Sequence, residues 1–227
     1  MNAMISDSED DFDFEDDEVG GMDSHIKAVV FDLGGVILAN GPRLAVISRL
    51  LGRSSSTADQ EAVKAAIWKH RTEYDLGSDS VDYWHKVAAE LGLPDEFDVG
   101  PVTSAEADRW GHPLPDAIDL LDELEDVPVK VAALCNAPRE LARVFDDQEW
   151  AEVFDAARFS GIVGVMVPDA QMFELIEQDL DVEPGQIVFF DNSERNVEGA
   201  RERGWDARLW VDGRTAHDVL LELGVLS

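Results

Sequence analysis

Four short apolar runs that alternate with helical patterns restrict the fold of this chain most strongly. They cover residues 26–31, 128–136, 186–192 and 206–212. Each run is bounded by turn residues and has the length of a buried strand rather than that of a helix. Strands that alternate with helices are typical of a parallel sheet, because a crossover helix must return the chain to the same edge. The sequence therefore predicts an α/β fold with a doubly wound parallel sheet covered by helices on both faces.

The segment between the first two runs is far too long for an ordinary crossover, since it has roughly 70 residues. Within it, stretches such as QEAVKAAIWKHRTEY carry apolar residues at spacings of three and four, which is the pattern of amphipathic helices. We therefore predict a helical cap at residues 41–112, inserted into a core made of residues 22–40 and 113–227. Most aromatic residues of the cap are expected to pack between its helices.

The N-terminal residues 1–21 contain nine acidic residues and no lysine or arginine. Such a composition cannot bury enough apolar surface to offset the entropy of ordering, so it predicts a disordered acidic tail. Two phenylalanines in this tail, Phe12 and Phe14, leave open a role in docking a protein partner.

The overall charge narrows the classes of partner. The 227-residue chain has a formal net charge of −31 and remains strongly acidic without its tail, so nucleic acid and anionic membranes are not expected partners. No apolar run approaches the roughly 18 residues of a membrane span. The single cysteine, Cys135, excludes an intrachain disulfide and favours a reducing, cytoplasmic location.

Polar side chains stand at the ends of three predicted strands. Asp32, Cys135 and Asp191 each follow or close a buried run. Ligands of open α/β sheets bind outside the carboxyl ends of the strands, so these three side chains are expected to meet at one site.

The residues around these strand ends resemble the motifs of the haloacid dehalogenase superfamily, in its phosphatase-like branch with a helical cap after the first strand. The resemblance covers about residues 26–223. It implies a Rossmann-like core and hydrolysis of a small phosphorylated metabolite with the help of Mg²⁺. The four motif frames read Asp32-Leu-Gly-Gly-Val, Leu134-Cys-Asn-Ala-Pro-Arg, Gly164-Val-Met-Val-Pro-Asp and Phe190-Asp-Asn-Ser.

The resemblance assigns roles to individual residues. Asp32 is implied to be the catalytic nucleophile, and Cys135 and Asn136 are implied to bind the phosphate. The implied metal ligands are Asp32, the carbonyl of Gly34, Asp191 and Asn192.

Four positions depart from the family pattern. Gly34 replaces the usual general acid/base, and Cys135 replaces a serine or threonine whose hydroxyl is a better donor than a thiol. Val167 stands where the family has a lysine, and Asn192 stands where it commonly has a carboxylate, which a hard cation prefers. We therefore expect Mg²⁺ to bind weakly. Arg43, Arg139 or Arg195 could supply the missing positive charge, but a solvated position away from the phosphate is the stronger expectation for each, because arginines are mostly exposed.

The residues leave three functions open. The first is a Mg²⁺-dependent phosphatase of a small phosphorylated molecule with a weakened or altered site. The second is a catalytically inactive relative that binds a ligand or a protein. The third is a dehalogenase, which ranks last because it would also need the lysine and because Asp191 would repel a haloacid carboxylate.

Overall fold

The computed structural model describes residues 24–41, 43–94 and 96–227. The acidic tail expected at residues 1–21 lies outside these described residues.

A five-stranded parallel sheet forms the centre of the described structure, in the order β3-β2-β1-β4-β5. This confirms the predicted α/β class and the parallel, Rossmann-like arrangement. The strands are β1 (Ala28–Phe31), β2 (Lys130–Cys135), β3 (Ala156–Phe159), β4 (Ile187–Asp191) and β5 (Asp206–Leu209).

The central strand β1 shows why its sequence is a continuous apolar run. Val29 and Phe31 belong to the hydrophobic cluster on one face of the sheet, and Ala28 and Val30 belong to the cluster on the other face. All four side chains are fully buried. A strand with both faces covered by helices cannot alternate between apolar and polar residues, so the run AVVF is required by its position.

The edge strand β3 was not foreseen from the sequence. Its residues AARF are neither β-branched nor continuously apolar, and only Phe159 is buried. Because β3 pairs on one side only, with β2, it needs less apolar surface than the central strands. Its position is set by that pairing rather than by a local pattern.

Helices cover both faces of this sheet and also form the long segment after β1. The α-helices are α1 (Leu44–Leu50), α2 (Thr57–Asp75), α3 (Ser80–Glu90), α4 (Gly100–Ala107), α5 (Pro115–Glu125), α6 (Arg139–Phe145), α7 (Ser160–Val163), α8 (Ala170–Leu180), α9 (Glu194–Arg203) and α10 (Gly213–Glu222). Short 3₁₀ helices lie at Asp108–Gly111, Glu149–Ala151 and Pro184–Gln186.

Helices α1–α4, here called the helical insertion, have a hydrophobic cluster of their own, separate from the two clusters of the sheet. Tyr74 and Tyr83 stack in it with ring centroids 4.0 Å apart, and Trp84 packs edge-on against Tyr83. These three aromatic residues are at most 1% exposed. The insertion therefore has a hydrophobic core of its own.

The end of α2 fixes the insertion to the sheet domain. The hydroxyl of Ser160 donates a hydrogen bond of 2.5 Å to the carbonyl of Asp75 and accepts one of 3.1 Å from the amide of Ala137. Next to this contact, a Cβ on Gly77 would lie 2.7 Å from the carbonyl oxygen of Gly161. The backbones approach too closely for any side chain at Gly77, so the contact requires glycine there.

No helix in the described part of the chain is both long and apolar enough to cross a membrane.

Candidate active site

Asp32 and Asp191 stand side by side at the carboxyl edge of the sheet. Phe31 of β1 pairs with Phe190 of β4, and the amide of Asp32 donates a hydrogen bond of 2.9 Å to the carbonyl of Phe190. Neighbouring parallel strands lie about 4.8 Å apart, so the two aspartates are adjacent across the strands. The structure thus brings the two acidic residues together, as the strand ends indicated.

Asp191 is buried and its carboxylate is already engaged. One oxygen accepts a hydrogen bond of 2.7 Å from the amide of Ser193, and the other accepts one of 2.9 Å from the side-chain amide of Asn196. Burial raises the pKa of Asp191 above its usual value, and the two hydrogen bonds oppose this rise only in part. Asp191 is therefore a buried charge behind the site rather than a freely exposed ligand.

Asn192 bridges the loop after β4 to the loop after β1. Its Nδ2 donates a hydrogen bond of 2.8 Å to the carbonyl oxygen of Gly34. The same Nδ2 would lie 2.1 Å from a Cβ on Gly35, whose φ is +89°. Both the backbone angle and the close approach therefore require glycine at position 35. Two of the residues implied as metal ligands, Gly34 and Asn192, thus bind each other.

The loop after β2 is held by the side chain of Asn136. Its Nδ2 donates to the carbonyl of Val167 over 3.0 Å, and its Oδ1 accepts from the amide of Val167 over 2.9 Å. This two-point clamp engages both polar atoms of the side chain, but it uses only one of the two N–H groups of Nδ2 and leaves the backbone amide outside the clamp. Cys135, the preceding residue, is buried and lines the same cavity as Asn136.

Val167, which occupies the place of the family's lysine, is packed into the core. Its side chain is 5% exposed and belongs to the hydrophobic cluster on the face of the sheet that carries Ala28 and Val30. The preceding residue, Met166, lines the cavity instead. The valine is therefore part of the packing, and the sequence frame alone did not reveal this.

A cavity of about 580 Å³ lies between these loops and α2 of the insertion. We call its sheet-side wall the floor and its α2 wall the roof. The floor is lined by Asp32, Gly34, Asn40, Gly41, Cys135, Asn136, Met166, Asn192, Ser193 and Asn196. The roof is lined by Trp68, Arg71, Thr72 and Asp75.

Arg71 is the one positively charged residue among the described side chains that line this cavity. Its Nε donates to Asp75 over 2.7 Å and its Nη1 donates to Glu106 over 2.5 Å. Burial disfavours the charge on Arg71, but Glu106 and Asp75 outweigh that effect and raise the pKa of the guanidinium. The arginine therefore stays charged, although it is almost completely buried.

The sequence offered three arginines that could replace the lysine, although a solvated surface position was the stronger expectation for each, and none of them lines the cavity within the described structure. Arg43 forms a salt bridge with Asp108 at the surface of the insertion. Arg139 and Arg195 lie outside the described lining of the cavity. The signal for Arg71 was present in the sequence, because positions 68, 71, 72 and 75 lie on one face of a helix. What the sequence did not show is that this face is turned toward the site.

The oxygen donors at the floor suit a divalent cation that is held by few charges. A cation could use the carboxylate of Asp32 and the carbonyl of Gly34, which are the hard oxygen ligands that Mg²⁺ prefers. In the described part of the chain, no three histidine, cysteine, aspartate or glutamate side chains cluster as a metal site. The donor set therefore fits Mg²⁺, but with fewer charged ligands than a tight site has.

Comparisons with known proteins find a phosphatase and a dehalogenase among the relatives of this chain. A sesquiterpene phosphatase of Aspergillus oryzae is 25% identical over 78% of this chain and 86% of its own. An (S)-2-haloacid dehalogenase of Xanthobacter autotrophicus is 28% identical over 79% and 73%, respectively. A haloacid dehalogenase-family enzyme of Bacteroides thetaiotaomicron, solved with magnesium and inorganic phosphate, shares the fold with a TM-score of 0.63 and 18% identity, covering 83% of this chain and 96% of that one.

The model of the haloacid dehalogenase-like hydrolases matches residues 26–204, which include strands β1 to β4 and the helical insertion. This match extends over most of the chain and contains all the residues at the floor and the roof of the cavity. The chain is a member of the haloacid dehalogenase-like hydrolase family.

Proposed function

We propose that this protein is a phosphatase that hydrolyses a small phosphate ester, with Asp32 as the nucleophile. The observation that carries the proposal is the position of Asp32. It lines a 580 Å³ cavity at the carboxyl edge of the sheet, where the backbone after β2 and the roof face it. The phosphatase among the curated relatives, and the structural relative solved with magnesium and phosphate, support the same reaction.

The first step is attack of an Asp32 carboxylate oxygen on phosphorus. The new O–P bond forms as the bond from phosphorus to the ester oxygen breaks, and the electron pair leaves with the alcohol oxygen. Gly34 has no side chain to protonate that oxygen, so the proton comes from water. A second water then attacks the phosphorus of the aspartyl phosphate, which releases phosphate and restores Asp32.

Backbone atoms and Arg71 bind the phosphoryl group in this proposal. The side chain of Asn136 is held by Val167, and this clamp fixes the backbone that follows β2 against the cavity. Arg71 contributes positive charge from the roof, although Asp75 and Glu106 neutralise much of it. We infer that the helical insertion acts as a cap, because its α2 closes the cavity over the floor.

The proposal includes Mg²⁺ held weakly by Asp32 and the carbonyl of Gly34, with Asp191 adding negative charge behind them. When bound, the cation would neutralise the charge on the phosphoryl oxygens, so that an anionic nucleophile can approach. Asn192 must release Gly34, or share it, for the cation to bind. A protein partner of the acidic tail and a cytoplasmic location remain expectations from composition.

A panel of phosphate esters, assayed for phosphate release with and without Mg²⁺, tests the proposal. Wild-type protein is expected to hydrolyse esters with good leaving groups, such as an aryl phosphate, faster than alkyl phosphates, since no acid assists departure. Asp32→Asn should abolish release. Asp126→Asn is the matched control, because it removes the same charge from an exposed residue just after α5, ahead of β2.

Three outcomes would overturn the proposal. If Asp32→Asn still released phosphate, Asp32 would not be the nucleophile. If the protein released no phosphate but released halide from a 2-haloacid in a parallel assay, the dehalogenase hypothesis would be favoured instead. Absence of both activities would favour the non-catalytic reading.

A further inference from the structure

Trp68 is the exception among the large aromatic residues of the helical insertion. Tyr74, Tyr83 and Trp84 are at most 1% exposed, whereas Trp68 is 50% exposed. A tryptophan buries more apolar surface than almost any other side chain, so leaving half of it exposed forgoes stabilisation. The exposure of Trp68 therefore calls for an explanation that the packing of the insertion does not provide.

The position of Trp68 supplies that explanation. It lies in the roof on the same face of α2 as Arg71, and it lines the cavity that holds Asp32. The Arg71 guanidinium carbon lies 5.9 Å from the centroid of the Trp68 ring, which is within cation–π range. Asp75 and Glu106 fix that guanidinium in turn. The indole ring is thus held beside the cavity by a buried charged group.

The floor faces Trp68 with a second apolar side chain. Met166 comes from the loop before α8 and lines the cavity from the sheet side. A thioether is flexible and polarisable, and makes favourable contacts with aromatic rings of many shapes. Polar and amide groups line most of the remaining floor, including Asn136, Asn192 and Asn196. The cavity therefore offers one pair of apolar surfaces beside an otherwise polar wall.

We propose that Trp68 selects the substrate by stacking on a flat, aromatic organic group of a phosphate ester, with Met166 on the opposite wall. This inference rests on the proposed function, since Asp32 receives the phosphoryl group of the same molecule. It agrees with the chemistry of the floor, because the aryl oxygen of an aromatic phosphate is a good leaving group.

Binding of two phosphonates to the full-length protein tests this assignment without requiring turnover. Phenylphosphonate and methylphosphonate share the phosphoryl head and differ in the aromatic group. In calorimetry with Mg²⁺ present, wild-type protein is expected to bind phenylphosphonate about fivefold to tenfold more tightly, as one aromatic contact provides. Trp68→Ala should remove this difference, and Trp68→Phe should keep most of it.

Leu50→Ala is the matched control, because Leu50 is also an exposed apolar residue of the insertion, 42% exposed, but does not line the cavity. It should leave both affinities unchanged. Equal binding of the two phosphonates by wild type, an equal loss of both in Trp68→Ala, or no measurable binding of phenylphosphonate would overturn the inference. The proposed function can fail separately from this inference. In that case the protein would release no phosphate but would still bind phenylphosphonate more tightly than methylphosphonate.

Discussion

The side-chain amide of Asn192 donates a hydrogen bond to the carbonyl of Gly34, which joins the loops after β4 and β1 across the floor of the cavity. In this position a carboxylate would face a carbonyl oxygen with no proton between them. A carboxylate at residue 192 therefore needs a cation, whereas the amide does not. In this protein a hydrogen bond from Asn192 joins the two loops. A carboxylate at the same position could join them only through a bound metal ion.

Asn192→Asp should make the stability of the protein depend on Mg²⁺. Without the cation, the new carboxylate repels the Gly34 carbonyl and the fold loses a hydrogen bond. With the cation, both oxygens gain a shared ligand. Thermal melts are expected to show a lower Tm than wild type without Mg²⁺, and a larger rise on addition of millimolar Mg²⁺.

Asn192→Ala is the control for this prediction, because it removes the hydrogen bond without adding charge, and its Tm should rise less with Mg²⁺ than that of Asn192→Asp. Micromolar binding of Mg²⁺ by the wild-type protein, measured by calorimetry, would contradict the weak site that the wild-type ligands imply.

Arg71→Met should destabilise the fold by about 3–5 kcal/mol, the usual cost of removing one partner from a buried ion pair. The substitution leaves Asp75 and Glu106 buried without their counter-charge. Urea unfolding of wild type and variant measures the difference. Arg158→Met is the control, because Arg158 pairs with Asp179 near the surface, where such pairs contribute about 0–1 kcal/mol. Similar costs for the two variants would mean that the Arg71 cluster is not desolvated as described.

In the motif that begins at Gly164, a lysine is expected to be tolerated at position 166 and not at position 167. Val167→Lys would bury an ammonium group in the hydrophobic cluster, so its Tm should fall markedly. Met166→Lys places the charge in the cavity, where it should tighten binding of inorganic phosphate. Thermal melts measure the Tm of both lysine variants, and calorimetry measures how tightly each folded variant binds inorganic phosphate. A well-folded Val167→Lys with tighter phosphate binding would show that the lysine side chain can leave the core for the cavity.

Asp191→Asn should raise the Tm at pH 7. The pKa of Asp191 is raised in the folded state, so its favourable contribution is present at low pH and is lost as the pH rises through the folded-state pKa. Above that pH the buried charge costs stability. The advantage of the variant should shrink as the pH falls toward the ordinary aspartate pKa, about 3.9.

Asp126→Asn serves as the control for Asp191→Asn as well, since it changes the net charge equally at an exposed residue. A Tm gain of equal size in both variants would assign the effect to net charge rather than to burial.

The sequence by itself determined the class of fold and the residues at the sheet edge. Runs such as AVVF are apolar throughout because both faces of a parallel sheet are covered, and this leaves a pattern that can be read locally. The aspartates at the ends of β1 and β4 follow from the same pattern, because parallel strands end at one edge. The edge strand β3 left no such pattern, since it is covered less and its pairing is set by β2.

Only the tertiary structure decided which side chains face the cavity. Val167 and Met166 are neighbours, and no local pattern shows that one enters the core while the other lines the site. Likewise, the face of α2 that carries Trp68 and Arg71 is directed by contacts at Ser160 and Gly161, more than 80 residues away in sequence. The direction of a side chain depends on how whole elements pack against each other, and that packing energy is shared among residues distant in the chain.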